Sequence, residues 1–366
     1  MTMKSLARLL ATASVAALAL TACATNDSSG STGSGSGGGG SLDGAKVAFL
    51  MPDQASTRYE QHDRPGYESK IKELCASCQV LYNNADGDAA KQQQQFNSAL
   101  TQGAKVIVLD PVDSAAAAGL VQTAHAQGVK VIAYDRPIPT TPADFYVSYD
   151  NEKIGSLISQ SLVDALKKKG VDTSTGGLLE VNGSPTDAAA GLIKKGIHTG
   201  IATGTYKTLA EYDTPQWDPA QAQSWVSGQI SRFGSQIVGV VAANDGTGGG
   251  AIASFKAAGT TPVPPVTGND ATQAGLQLII SGDQFNTISK PSEVVAGAAA
   301  EASVSFLKNQ TPTSQATLFD TPSQLFVPVV ITKDNIKAEI FDKGIAKASD
   351  ICTGVYTAPC SALGIS

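Results

Sequence analysis

The sequence predicts an α/β fold of two lobes, each a parallel β-sheet covered by helices on both faces. Three observations predict it. From residue 45 onward, short β-branched runs alternate with stretches of helical length, the order of repeated βα units with right-handed crossovers. Several runs are apolar throughout, such as Val106-Ile107-Val108-Leu109 and Val238-Gly239-Val240-Val241, as expected for strands buried on both sides of a parallel sheet. The series is interrupted at Pro137, Pro139 and Pro142, and a second βα series follows.

Taken in order, the strand-like runs cover residues 46–51, 80–83, 105–109, 130–134 and 145–148, then 177–181, 205–210, 237–242 and 266–268. A shorter run at 285–288 and a late strand over 325–332 complete the set. Helices are expected over 66–74, 89–102, 114–127, 152–168, 187–202, 219–233, 248–258, 271–281 and 291–309. Ser114 and Asp187 stand where N-caps belong. The break near residue 150 places a first lobe at about 42–151 and a second at about 152–289.

The N-terminal residues read as an address. Lys4 and Arg8 precede an apolar run, residues 9–20, that is too short for a bilayer core needing roughly 20 residues. It ends in Leu20-Thr21-Ala22-Cys23, which resembles the lipobox of bacterial lipoproteins, so residues 1–23 are expected to be a leader with Cys23 as the lipidated residue. An ordinary secretory cut after Ala22, with Cys23 incidental, is the alternative. Residues 24–41 are almost entirely Gly, Ser and Thr and form a tether with a reach of roughly 20–25 Å. Later segments contain no run of 18 apolar residues, so the membrane is expected to be met through the lipid alone.

The net charge is −6 with both signs interspersed and no basic stripe, which speaks against nucleic acid as a partner. His62, His125 and His198 have no metal-site spacing, and neither metal nor cofactor is expected. Beyond Cys23 the cysteines form two close pairs, Cys75/Cys78 and Cys352/Cys360. Outside the cytoplasm these read as local disulfides, although four cysteines allow three pairings and a redox motif or a four-cysteine zinc site remains an alternative.

In an open α/β sheet, ligands bind beyond the carboxyl ends of the strands. Here those ends carry Asp53, Arg58 and Tyr59, then Asp135-Arg136, then Asn182, Ser184 and Asp187, then Asn244-Asp245, Asn269-Asp270 and Lys290. Tyr59 and Trp217 supply aromatic faces. Any one of these residues could be a turn or cap residue. Their recurrence at one end of both sheets suits a polyol, because Asp accepts from hydroxyls, Arg and Lys donate to them, and Asn does both. Micromolar capture needs about 8 kcal/mol, or ~0.7–0.8 kcal/mol per atom from a sugar of roughly ten to twelve heavy atoms. A hinged cleft supplies the required burial and a shallow patch does not.

Enzyme signals are weak by comparison. Gly246-Thr-Gly248-Gly-Gly250-Ala251 fits G-x-G-x-x-A with Asp270 downstream, yet Asn244-Asp245 would set a carboxylate beside a pyrophosphate. The chain has no P-loop lysine, no G-x-S-x-G elbow and no histidine-bearing triad candidate.

At these strand ends the chain resembles the sugar-binding proteins of ABC transporters, of the type I periplasmic-binding fold, and within them the D-xylose-binding and multiple-sugar-binding group. The resemblance is carried by Ala133-Tyr-Asp135-Arg136, by residues 144–155, by Gly183-Ser184-Pro185 with Asp187, and by Trp217-Asp218-Pro219. Asn244-Asp245, Gly268-Asn-Asp270-Ala271, Lys290-Pro291, Val327-Pro328 and Thr332-Lys333-Asp334-Asn335 extend it over about residues 46–344. It implies two Rossmann-like lobes joined by a three-strand hinge, with crossings near Asn151, Lys290 and Phe326. The first lobe would then comprise 42–151 plus 290–325 and the second 152–289 plus 326–351, with 352–366 as a C-terminal tail.

It also implies a monosaccharide, xylose or a related aldose, held by Arg58, Asp135, Arg136, Asp187, Asn244, Asp270 and Lys290, with Tyr59 and Trp217 packed on the ring. The implied setting is extracytoplasmic, the implied partner an ABC permease, and the protein a monomer without catalytic activity. A sugar-sensing module for a signalling receptor would need the same cleft. One departure stands out: Ala188-Ala189 occupy positions where the family usually has a pair of asparagines.

Overall fold

A computed structural model describes residues 42–366 except Thr173. The expected leader, the lipidated Cys23 and the tether over 24–41 lie outside the described residues. The strands run in chain order β1 (Lys46–Met51), β2 (Gln79–Asn84), β3 (Ala104–Leu109), β4 (Lys130–Tyr134), β5 (Phe145–Tyr149), β6 (Gly177–Asn182), β7 (Lys207–Asp213), β8 (Ile237–Ala242), β9 (Asn286–Ser289), β10 (Ala316–Leu318), β11 (Thr321–Phe326) and β12 (Val329–Thr332).

The first lobe is built on a seven-stranded sheet of order β10-β11-β5-β4-β3-β1-β2. Every pairing in it is parallel except that of the edge hairpin β10–β11. The second lobe has a parallel three-stranded sheet of order β7-β6-β8, which β8 extends by a bridge from Val240 to Val266. β9 and β12 form an antiparallel pair beside it.

The continuously apolar strands are buried on both faces. In β1, Val47, Phe49 and Met51 join one apolar cluster while Ala48 and Leu50 join another; in β3, Val106 and Val108 part from Ile107 and Leu109 in the same way. Successive side chains point to opposite faces, so the alternation records helices packed above and below one sheet. Five helices begin at an Asp or Asn that comes after a strand: Asp88, Asp150, Asp187, Asp218 and Asn244 each accept a backbone N–H of the first turn.

The chain passes between the sheets three times. β5 leads into helix Asn151–Lys168, which packs on helix Ala188–Ile201 of the second lobe. β9 leads into helix Ser292–Leu307, which returns to pack on helix Arg64–Leu74. Val327-Pro328 then separates β11 in the first sheet from β12 beside the second.

Several expectations are corrected. The late strand over 325–332 is two strands in different sheets, because Pro328 cannot donate to a ladder. Val266 makes only the isolated bridge. Ser114 is not an N-cap: the helix is Ala117–His125, and Asp113 accepts from the amides of Ala115 and Ala116. Ser114 Oγ instead accepts from Ala188 N (3.1 Å) at the start of a second-lobe helix. Residues 352–366, expected as a tail, carry helix Thr357–Ala362 and bury Cys360 and Ile365 against Leu276, Ile279 and Ile280. The disulfides are Cys75–Cys78 and Cys352–Cys360.

Helices Asn151–Lys168 and Ala188–Ile201 approach through glycine. A Cβ on Gly155 would lie 1.9 Å from the carbonyl oxygen of Ile193, and one on Gly196 would lie 2.0 Å from that of Glu152. Both obstacles are backbone, so a methyl group forces the helices apart. Gly196→Ala is therefore expected to cost about 3 kcal/mol, the upper part of the usual overpacking range. Urea unfolding measures it, and a loss below ~0.5 kcal/mol would contradict this account.

Candidate functional site

The carboxyl ends of the two sheets face one small cavity. It is lined by Ser56, Arg58, Tyr59, Asp135, Arg136, Asn151, Asp187, Ala189, Ile193, Trp217, Asn244, Asn269, Asp270 and Lys290. All nine residues singled out from the sequence are among them.

The charges are paired in layers. Arg58 Nη2 donates to Asp135 Oδ2 (2.5 Å) and its Nη1 to Asp63 Oδ1 (2.9 Å). Arg136 Nη2 donates to Asp53 Oδ2 (2.6 Å), and its Nε lies 3.3 Å from both Asp110 Oδ1 and Asp187 Oδ2. Lys290 Nζ lies 2.9 Å from Asp270 Oδ1 and 4.0 Å from Asp135 Oδ1. The three cations are each less than a tenth exposed, a position tolerable only with carboxylates at hand.

Burial pushes Asp110, Asp63 and Asp187 above the usual carboxylate range despite neighbouring arginines. Asp135 goes the other way: burial pushes it up, but Arg58, Lys290 and Arg136 together hold it at about 2. Asp135 is thus an ionised acceptor facing the cavity. Its backbone has φ of +57°, a conformation that costs an L-residue energy; its carbonyl accepts from Tyr146 Oη (2.7 Å) and Ser148 Oγ (3.0 Å).

The aromatics are held as firmly. Tyr59 Oη donates to Asp135 Oδ2 (3.2 Å), and the Arg58 guanidinium lies 4.5 Å from the centre of the Tyr59 ring. Trp217 Nε1 donates to Asp187 Oδ2 (3.0 Å). The Trp217 ring lies over Gly183, where a Cβ would come within 2.1 Å of Cη2; that close approach explains the glycine of Gly183-Ser184-Pro185.

Two expected contacts have structural duties as well. Asp187 Oδ1 caps its helix through Ala189 N (2.8 Å). Asn244 Oδ1 accepts from Thr247 N (2.8 Å) and Thr247 Oγ1 (2.9 Å), which leaves its amide nitrogen as the group to offer the cavity. Asp270 sits on a turn with φ of +100° at Asp270 and +48° at Ala271. Asp245 secures that turn by accepting from Thr272 N (2.8 Å) and Thr272 Oγ1 (3.0 Å), and its other oxygen accepts from Gln284 Nε2 and Thr287 Oγ1 (both 2.7 Å).

Sequence reasoning missed Asp63 and Asp110, the inner partners of Arg58 and Arg136, and the lining residues Ser56 and Ile193; Asn151 it named only as a crossing between lobes. Asp110 directly follows β3, so the strand-end rule reaches it. Asp63 lies in a π-helical turn, Tyr59–Asp63, which carries no sequence signal.

The cavity is about 20 Å³, space for roughly one water. A neighbouring cavity of about 520 Å³ shares Arg58, Asp270 and Lys290 as its wall. A ligand of ten heavy atoms is admitted between the sheets only when the walls part.

Fold and site together define a two-lobed capture protein, with paired charges and amides facing an interlobe cavity. The chain belongs to the periplasmic binding protein domain family, whose model matches residues 47–311; its members are extracytoplasmic binding proteins and not enzymes. The chain is 32% identical to the D-xylose-binding periplasmic protein of Escherichia coli, over 84% of this chain and 92% of that protein. It is 28% identical to the multiple sugar-binding periplasmic receptor ChvE of Rhizobium radiobacter, over 84% of this chain and 93% of the relative. A carbohydrate transporter solute-binding protein from Chloroflexus aurantiacus, solved with D-glucose, superposes with a TM-score of 0.74 at 27% identity, covering 83% and 97% of the two chains.

The titrations give a pH dependence of stability. Burial, then the charge of Asp270, lifts Asp245 from 3.8 to about 7. Its folded pKa lies above the unfolded value, so its contribution is present in full below about pH 4 and lost as pH rises through 7. His62, raised above 6.5 by bonding to Glu293 at 3.3 Å, has the same sign, its contribution being lost as pH rises beyond 6.5. Asp135 has the opposite sign, but its contribution is complete above about pH 4. The unliganded protein is therefore expected to melt at a lower temperature at pH 8 than at pH 5, with a shallower slope in His62→Gln. A scanning-calorimetry profile that is flat or rising across this window would refute the assignment.

Proposed function

We propose that the protein captures one monosaccharide, xylose or a related aldose, between its lobes and delivers it to the permease of an ABC importer. The observation that carries this reading is the convergence, from both lobes, of acceptors (Asp135, Asp270), donors (Arg58, Arg136, Lys290, Asn244) and aromatic faces (Tyr59, Trp217) on one cavity. A ring bearing hydroxyls on several sides uses acceptors and donors from both directions at once. The relatives named for D-xylose and for multiple sugars support the ligand class.

In this proposal the sugar replaces part of the side-chain pairing. Hydroxyls donate to Asp135 and Asp270 while Arg58 and Lys290 donate to ring and hydroxyl oxygens, so the charges stay compensated. Charge-assisted bonds of ~1.5–3 kcal/mol each then supply micromolar affinity from a few contacts. The ligand leaves unaltered. The protein acts as a monomer, held at the membrane through a lipid on Cys23; the leader and the Gly/Ser-rich tether support this attachment, and among the described residues no helix is long and apolar enough to cross a membrane.

Thermal-shift screening against pentoses and hexoses is the direct test. A sugar at 100 times its Kd should add ~2.7 kcal/mol of apparent stability, and silence across the panel would remove the reading. Asp270→Ala should weaken the sugar found by at least tenfold, as loss of one bond to a charged group requires, without changing the circular dichroism spectrum. Unaltered affinity would take Asp270 out of the site.

A further inference from the structure

A second polar cluster lies outside the cleft, at the edge of the second sheet. β6 and β7 pair in parallel with Glu180 directly opposite Glu211. Two like charges facing each other across a strand pair are destabilising unless something bridges them. Helix Ala188–Ile201 places His198 over the pair, with Nε2 3.1 Å from Glu180 Oε2 and 3.3 Å from Glu211 Oε2. One ligating atom from each of the three residues lies within 4.8 Å of the others.

The second observation concerns Glu180. It is only 1% exposed, and apart from His198 Nε2 at 3.1 Å its Oε2, turned toward the cluster, has no partner. A buried carboxylate oxygen left in this way calls for a cation. The opposite oxygens are already occupied: Glu180 Oε1 accepts from Thr208 Oγ1, and Glu211 Oε1 faces Lys194 Nζ at 3.3 Å. Lys194 is itself drawn away to Asp213 (2.9 Å). Such outer partners orient ligands, and the inner atoms face one another, with His198 Nε2 between the two Oε2 atoms.

We propose that Glu180, His198 and Glu211 bind one divalent transition-metal ion of the zinc class through Oε2, Nε2 and Oε2. Zinc–ligand bonds of about 2.0–2.2 Å in a tetrahedron set neighbouring ligands about 3.4 Å apart, and the two separations to His198 already approach that value. One imidazole with two carboxylates suits zinc and its neighbours better than calcium or magnesium, which take oxygen-only shells. Three protein ligands leave the remaining coordination to water. Histidine spacing along the chain could not reveal this site, because two of its ligands are glutamates brought together by strand register.

The test is calorimetric titration of zinc chloride into untagged, chelator-stripped protein, with magnesium chloride as comparison. The expected result is one zinc per chain and no magnesium binding, with affinity reduced at least tenfold in both His198→Ala and Glu211→Gln. Both substituted side chains are half-exposed, so the variants should fold, and circular dichroism checks that they do. Absence of stoichiometric zinc binding, or binding that survives both substitutions unchanged, would overturn the proposal.

Discussion

The cleft depends on how three buried cations are compensated. Arg58, Arg136 and Lys290 are surrounded by Asp53, Asp63, Asp110, Asp135, Asp187 and Asp270, so carboxylates outnumber cations. An ion pair out of water is tolerable only with good geometry and further hydrogen bonds, and the acids divide accordingly. Those with one arginine neighbour, Asp63 and Asp110, are pushed toward the neutral form by burial. Asp135, reached by all three cations, remains charged. The arrangement favours the ionised form most strongly at Asp135, on the cavity wall, and less at the acids behind it.

The same pairs join the lobes. Arg136 follows a first-lobe strand and reaches Asp187 at the head of a second-lobe helix. Lys290, at a crossing between lobes, reaches Asp135 on one side and Asp270 on the other. Ser114 and Thr186 add bonds between a first-lobe loop and the second-lobe helix start. These are polar links of short range, concentrated beside the cavity, and among the described residues three chain crossings connect the lobes covalently. Breaking a buried pair outright costs ~3–5 kcal/mol, so parting of the lobes is favourable only where water or a polar ligand takes over the freed groups. Chemistry at the cavity and motion at the hinge are therefore one equilibrium.

The fold was legible wherever burial leaves a periodic trace. Val47 to Met51 and Val106 to Leu109 are apolar at every position because both faces of their sheet are covered, and the strand-end rule then located the cavity. What escaped has physical reasons. Asp63 emerges from a π-helical turn, and Ser114 spends its hydroxyl across the cleft and not on its own helix. The break at Val327-Pro328 spans two residues within a run that otherwise reads as one strand. The β10–β11 hairpin turns through Phe319 and Asp320, both at positive φ, without the Asn-Gly or Gly-Gly pair that marks such turns in sequence.

The cavity wall also limits which faces of a ligand can be recognised. Ala189 and Ile193 offer methyl and methylene groups only. A hydroxyl directed there would lose its water without gaining a partner, at ~1–3 kcal/mol. Asn269 presents the opposite demand: it is 2% exposed, lines the same cavity, and its Oδ1 accepts no hydrogen bond. A hydroxyl beside Asn269 relieves an unmet acceptor, whereas a hydroxyl beside Ala189 creates an unmet donor.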